Sequence, residues 1–349
     1  MDSITHLFLG GAIAAAIAPS GQRRAALLAG AAIDTLPDLD VLPLMLSHDP
    51  VVRMTWHRAA SHSLLVLPFV AWALWACFRR RGGRVAQAPW RWFWIFQLAL
   101  LAHPLVDALT VYGTQLFWPL PVPPVMVSSL FIVDPLVTQP LLAACVVAWF
   151  ARERLPARRA LACGLVLAGA YVGWSLLAKA LVEQRAGRSL AMLGLQDAPR
   201  FSVPMPFNTL LWRVVAMTPD GFLEGETSLV ADRGPIRFRA YPSDTAALRQ
   251  AASFPATARL LWFNHHFARA DVRNGELVLS DLRMGAEPDY TFRFAVARQE
   301  GARWVPVAPQ QLDWPGATRA QLSALWQRIW HAPASDAESP LSTPPPAPG

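Results

Sequence analysis

Histidines and aspartates recur at short spacings in the first third of the chain, beside strongly apolar runs. His57 and His62 lie in "WHRAASHSLL" where one such run begins, and His103 and Asp107 lie in "LLAHPLVDALT" near the end of another. Residues four apart share one face of an α-helix, so His103 and Asp107 can reach one ion from a single helix. Imidazoles and carboxylates without thiolates are donors typical of zinc, manganese or iron. This pattern predicts a metal site.

Further polar residues of the same types lie at the ends of neighbouring apolar runs. His6 lies in the first run, and Asp34, Asp38 and Asp40 lie in "AAIDTLPDLDVLP" at the end of the second. Any single histidine here is more simply a satisfied core residue, and any single aspartate a turn or surface residue. Each charged side chain inside a membrane span, however, costs roughly 2.5–3.5 kcal/mol at the helix centre. Their gathering on one side of a bundle therefore favours a shared site.

The composition is that of a membrane protein. Of the 349 residues, 54% are hydrophobic and 16% are charged, whereas soluble domains carry about 25% charged residues. A helix needs about 20 apolar residues to cross a bilayer. The runs that meet or approach this length are 63–78, 92–113, 133–150 and 161–182, with shorter ones at 4–18 and 25–36. We expect a helical membrane bundle of four to six transmembrane or half-spanning helices over residues 1–183.

Arginines predict how this bundle is oriented. They cluster in alternate loops, at Arg23 and Arg24, between 79 and 91, and between 152 and 159. Arginine-rich loops stay in the cytoplasm, so the predicted metal site and the C-terminal half lie on the opposite face of a multi-pass protein of the bacterial inner membrane. Because the basic residues are explained in this way, the expected partner is membrane lipid and not nucleic acid.

The C-terminal half has the pattern of a water-soluble β domain. Short alternating runs separated by turn signals over 184–331 predict a mainly antiparallel sheet, and 258–273 is interpreted as one of its strands. An amphipathic segment at 318–330 predicts a terminal helix. Residues 332–349, rich in proline and small residues, predict a disordered tail. We expect this domain to be an extracytoplasmic cap or docking module.

Four elements in consecutive segments resemble the YdjM-like family of bacterial membrane-bound metal-dependent hydrolases. They are the early "TH", the "D-x-x-P-D-x-D", the "HR-x-x-SHS" and the "H-x-x-x-D", and the resemblance covers roughly residues 1–180. A more distant likeness is to the zinc-dependent phospholipase C group. That group has a second helix with a histidine and an aspartate, and downstream of Asp107 this chain offers only Asp134, with no histidine beside it. The family resemblance implies metal-site roles for His6, Asp34, Asp38, His57, His62, His103 and Asp107.

The expected activity is hydrolysis by a metal-activated water at the outer face of the membrane. The ion is a divalent metal, zinc before manganese or iron, with one or two per chain. Asp38 or Asp40 is the candidate base, and Arg58 is a candidate ligand for a phosphoester or lipid-like substrate. Alternatively, Arg58 anchors a lipid headgroup or pairs with an aspartate. The rival function is a non-enzymatic metal-binding membrane protein with an extracytoplasmic interaction domain.

Overall fold

The structure, a computed structural model, describes residues 1–314, 316, 318–333 and 341–342. It divides into two compact units. The first comprises Met1–Leu46 and Trp56–Ser175, and the second comprises Ser47–Thr55 and the chain from Leu176 onward. The domain limits predicted at 183 and 331 stay a prediction. Most of the tail predicted for 332–349 lies outside the described residues.

The first unit is helical, as predicted. Its helices are α1 Ser3–Ala16, α2 Arg23–Asp34, α3 Val41–Leu44, α4 Pro50–Trp56, α5 Leu67–Arg80, α6 Gly83–Gln87, α7 Pro89–Asp107, α8 Pro135–Ala151 and α9 Leu155–Ala191. Two short 3-10 turns, Pro37–Asp40 and Ala60–His62, lie between them. Most of α4 and the end of α9 belong to the second unit. This helical character confirms the predicted class of the N-terminal half.

One helix among the described residues, α9, is long and apolar enough to cross a membrane by itself. Pro50–His62 and Leu67–Arg80 pass the same criterion as a pair, bent by 59° at the break between them. α1 and α8 are apolar but shorter. The helix ends differ from the predicted spans. In the run at 92–113, helix α7 ends at Asp107, and in the run at 63–78, helix α5 begins only at Leu67. The count of four to six spans therefore stays a prediction.

Two glycines let α1 and α2 cross at close range. A Cβ added to Gly10 would lie 2.3 Å from the Cβ of Asp34 and 2.4 Å from the carbonyl oxygen of Gly30. A Cβ added to Gly30 would lie 2.2 Å from the carbonyl oxygen of Gly10. Small residues at a helix crossing permit such an approach in membrane proteins. The contact brings Asp34, at the end of α2, against the helix that carries His6.

The second unit consists of antiparallel sheets and short helices, as predicted. Its elements are β1 Arg200–Pro204, β2 Leu211–Thr218, β3 Gly221–Ser228, β4 Phe238–Pro242, α10 Thr245–Ala251, α11 Pro255–Phe263, β5 Ala268–Arg273, β6 Glu276–Asp281, β7 Gly285–Ala286, β8 Asp289–Tyr290, β9 Arg293–Glu300, β10 Arg303–Gln311, α12 Arg319–Trp330 and β11 Leu341–Ser342. The sheets have the orders β1-β2-β3-β4-β11, β10-β9-β6-β5 and β7-β8. Only β11 pairs in parallel, on β4, among the strands described.

The strand expected over 258–273 is wrong for its first half. Helix α11 begins at Pro255 and buries Thr257, Leu260 and Leu261, a spacing of three and four residues that belongs to a helix and not to a strand. His265 and His266 then adopt the left-handed conformation, with φ of 57° and 64°. This turn ends the helix, and only β5 continues as strand.

Replacing Gly10 or Gly30 by Ala should disrupt the contact between α1 and α2. A methyl group placed within 2.4 Å of backbone atoms forces the helices apart, and overpacking of this kind costs about 1–3 kcal/mol. Thermal unfolding of detergent-solubilised protein measures the loss. Gly169→Ala on α9 is the matched control, because nothing lies within 4 Å of its added Cβ. Equal melting temperatures for the Gly10, Gly30 and Gly169 variants would contradict the packing described.

Candidate metal centre

Six segments of the first unit each contribute polar side chains to one cluster. His6 lies on α1, Asp34 ends α2, and His103 and Asp107 lie on the last turns of α7. The 3-10 turn Pro37–Asp40 carries Asp38 and Asp40, the 3-10 turn Ala60–His62 carries His62, and His57 and Arg58 follow α4. All of the residues predicted from sequence for the site thus lie in the same unit.

Four of these side chains converge closely enough to hold an ion. One ligand atom from each of Asp38, His62, His103 and Asp107 lies within 4.8 Å of the others. The Nε2 atoms of His62 and His103 are 3.0 Å apart, and Asp107 Oδ2 lies 3.2 Å from the first and 3.4 Å from the second. Asp38 Oδ1 lies 3.4 Å from His103 Nε2. His62, His103 and Asp107 are fully buried.

The hydrogen bonds behind the two rings determine which nitrogens carry protons. His103 Nδ1 donates to the carbonyl oxygen of Asp34, which can only accept. Ser61 donates its one proton to Asp40 Oδ2 at 2.5 Å and therefore accepts from His62 Nδ1 at 2.9 Å. In the neutral rings both Nε2 atoms are then bare lone pairs. Two nitrogen lone pairs and two carboxylates consequently face one another with no proton between them. Such a set of ligand atoms suits a cation.

A second group, His6, Asp34 and His103, adjoins the first and shares one of its members. The rings of His6 and His103 stack with centroids 3.6 Å apart. His6 Nε2 donates to Asp107 Oδ1 at 3.1 Å, which leaves Nδ1 as its lone pair. That Nδ1 and both carboxylate oxygens of Asp34 are buried without a hydrogen-bond partner among the described residues. Such orphaned acceptors fit a cation or a proton that they can share.

His57 and Asp40 belong to neither group and form a pair of their own. His57 Nδ1 lies 2.7 Å from Asp40 Oδ1. Asp40 also accepts hydrogen bonds from the Ser61 hydroxyl and the main-chain N–H of Arg58. Burial alone would raise the pKa of Asp40, but the bonds from His57 and Ser61 outweigh it and hold the pKa below its ordinary value. Asp40 is therefore an anion that orients His57, His62 through Ser61, and the turn between them.

Arg58 lies inside the cluster in a strained conformation. Its φ is +65°, which is uncommon for a residue with a side chain. The guanidinium lies 3.2 Å from Asp107 Oδ1, donates to Thr110 Oγ1 and lies over the ring of Tyr112. The main-chain nitrogen of Met1 contacts the same carboxylate oxygen. Arg58 Nε is buried and has no hydrogen-bond partner in the described part of the chain.

The interpretation of the sequence missed two of these residues. Thr110 and Tyr112 lie in the segment after α7, three and five residues beyond Asp107, and neither belongs to a recognisable motif. Asp134, whose role was open, lies outside both groups: it caps α8 by accepting from the N–H of Leu136 and is bonded to the hydroxyl of Tyr171. The one available signal for Thr110 was its position one turn after a candidate ligand.

Replacing Arg58 by Met should destabilise the ion-free protein, because it leaves the buried Asp107 carboxylate without the guanidinium. Removing one partner of a buried ion pair costs about 3–5 kcal/mol. Thermal unfolding in detergent with a chelator measures this loss, and a divalent ion should restore part of it. Arg80→Met, at an exposed arginine, is the control. A loss no larger than that of the control would contradict the pairing.

The residues of the centre lie in the part of the chain that matches a known family. Residues 1–182 match the YdjM inner membrane protein family, which is just over half of the chain. No curated protein and no solved structure matches the chain significantly. The matched region contains both ligand groups and the pair of His57 and Asp40. The chain thus belongs to the YdjM inner membrane protein family.

Proposed function

We propose that this protein is a metal-dependent hydrolase of the inner membrane. The observation that carries the proposal is the set of ligand atoms without protons that His62, His103, Asp38 and Asp107 bring together. Without a cation, their lone pairs and charges repel one another in a buried place. Zinc suits two imidazoles and two carboxylates, and manganese or iron also take such ligands. We propose one or two ions per chain.

The first group is the better site for an ion. His103 offers it a bare Nε2, whereas its Nδ1 is already bonded to the Asp34 carbonyl and cannot serve the second group without losing that bond. His6 and Asp34 supply only one nitrogen and one carboxylate of their own. We therefore assign the principal ion to Asp38, His62, His103 and Asp107. The second group would hold a weaker ion or a shared proton.

The chemistry follows from what surrounds this group. A divalent ion held there supplies an acidified water and polarises an ester or phosphoryl oxygen. Asp40 is occupied by three donors, so we assign it to orientation, and we place the proton transfer on His57, the most exposed histidine of the cluster at 23%. His57 would take the proton of the attacking water and pass it to the leaving oxygen as its bond breaks.

Arg58 is suited to an anionic substrate. Its guanidinium already lies 3.2 Å from Asp107, and its Nε is left without a partner among the described residues. Guanidinium groups bind phosphate in a two-pronged manner. This favours a phosphoester over a neutral ester as the group that is hydrolysed. Its charge would stabilise the negative charge that develops on the phosphoryl oxygens.

We further propose that the protein crosses the membrane several times with the centre on the outer side. The support is the alternation of arginine-rich and arginine-poor loops along residues 1–160. The loops at 79–91 and 152–159 would lie in the cytoplasm, and the C-terminal β domain outside it. Among the described residues, α9 and the bent pair at 50–80 are long and apolar enough for such crossings.

Metal content is the first test of the proposal. Elemental analysis of detergent-purified protein should find about one or two equivalents of zinc, manganese or iron per chain. His62→Ala and Asp107→Ala should lose the principal ion, because each removes a donor from the first group. His48→Ala, at an exposed histidine outside both groups, is the control. Metal at background in the intact protein would overturn the proposal.

Hydrolysis of bis(p-nitrophenyl) phosphate by the metal-loaded protein is the second test. His57→Ala should keep the metal, since His57 belongs to neither ligand group, and should slow hydrolysis by about 100- to 10,000-fold, as expected for a lost general acid or base. Asp40→Asn should slow hydrolysis as well, because Asp40 orients His57. Asp197→Asn, at an exposed residue of the second unit, should have no effect. An intact protein that binds metal but hydrolyses neither this probe nor a phospholipid supports the non-enzymatic alternative.

A further inference from the structure

The segment that carries Asp38 and Asp40 exposes large apolar side chains around these two acids. The exposed residues, called the apolar lip below, are Leu36, Leu39, Val41, Leu42, Met45 and Leu46. Met45 and Leu46 are 67% and 82% exposed, and α3 buries none of its residues. Exposed apolar side chains that cluster in this way mark a surface that binds something.

The length and charge of the lip indicate that lipid covers it. No ionisable residue occurs from 41 to 47, so this stretch has no charged side chain for water to solvate. The whole lip spans eleven residues, from 36 to 46, and a bilayer crossing needs about 20. Apolar segments of this kind lie in the interface of a membrane, with their side chains among the acyl chains. The chain belongs to an inner membrane protein family, so a bilayer is available to cover these side chains.

The centre opens where the lip begins. His6, Asp34, His62, His103 and Asp107 are fully buried. The side chains of Asp38, Asp40 and His57 are 18%, 14% and 23% exposed. The exposed edge of the centre is therefore formed by Asp38, Asp40 and His57, beside the lip. Behind this edge the guanidinium of Arg58 lies 3.2 Å from Asp107, and a guanidinium favours an anionic group.

We infer that the substrate is a bilayer phospholipid with an anionic phosphate group, whose acyl chains rest on the apolar lip while the phosphate reaches Arg58. This inference rests on the proposed function and narrows its substrate from phosphoesters in general to those anchored in the membrane. A soluble phosphoester would use Arg58 and the metal centre but would gain nothing from the exposed leucines. The two substrate classes therefore differ in whether the lip contributes to binding.

Binding of two probes with the same headgroup tests this difference. Radiolabelled dioleoyl phosphatidate and glycerol 3-phosphate are bound to the full-length, metal-loaded protein in detergent. Phosphatidate should bind at least about tenfold more tightly, and Leu42→Ser with Met45→Ser should remove most of that advantage without changing the binding of glycerol 3-phosphate. Val166→Ser with Leu167→Ser, at exposed positions of α9, is the matched control. Arg58→Met should weaken both probes.

The outcomes separate the inference from the proposal beneath it. Equal affinities for the two probes, or a lip variant that binds phosphatidate as the intact protein does, would overturn the inference and leave the hydrolase proposal standing. The same holds if the α9 control loses as much affinity as the lip variant, because the gain would then come from the general apolar surface. A protein without bound metal overturns the proposed function itself, whatever the probes show.

Discussion

Two imidazole nitrogens, His62 Nε2 and His103 Nε2, face each other at 3.0 Å inside the helical unit. Each ring is held from behind, by Ser61 in one case and by the carbonyl of Asp34 in the other. Neither ring can turn away without losing a buried hydrogen bond, which costs about 1–3 kcal/mol. Outer partners of this kind set the ring orientation and tautomer in metal sites. The turn that carries Ser61 and the end of α2 that carries Asp34 therefore keep these two nitrogens in place.

The backbone around the two rings is built to hold them. α1 and α2 meet at bare glycine backbone, which allows Asp34 to reach His103 from the end of α2. The segment after α7 fixes the other side, because the N–H of Gln115 donates to the carbonyl of Arg58 and the N–H of Leu64 donates to the carbonyl of Leu116. These bonds bracket the turn from 58 to 64. They explain how Arg58 keeps a φ of +65° that an isolated peptide would avoid.

The sequence contained enough to predict which polar residues come together and too little to predict how they pair. His103 and Asp107 could be assigned to one face of a helix because the spacing of four is a helical property. The separation of His57 from the ligand groups was not predictable, because it depends on Asp40 reaching His57 across seventeen residues. The helix at 255–263 was misread as strand because its apolar residues include aromatic and long side chains that suit both elements. The local sequence pattern predicts a helix or a strand, but only tertiary contacts decide which polar side chain faces the centre.

In the proposed hydrolase, charge balance favours a single principal divalent ion. Asp34, Asp38, Asp40 and Asp107 contribute four carboxylates around the centre, and the guanidinium of Arg58 and the amino group of Met1 contribute two positive charges. With neutral imidazoles, one divalent ion brings the sum over these groups to zero. Without it, two uncompensated negative charges would remain in a buried place, and each costs several kcal/mol even after relaxation. A second ion would leave an excess of positive charge, which an anionic phosphate entering beside Arg58 would neutralise. In the proposed hydrolase, a phosphate bound beside Arg58 would therefore also make a second ion tolerable.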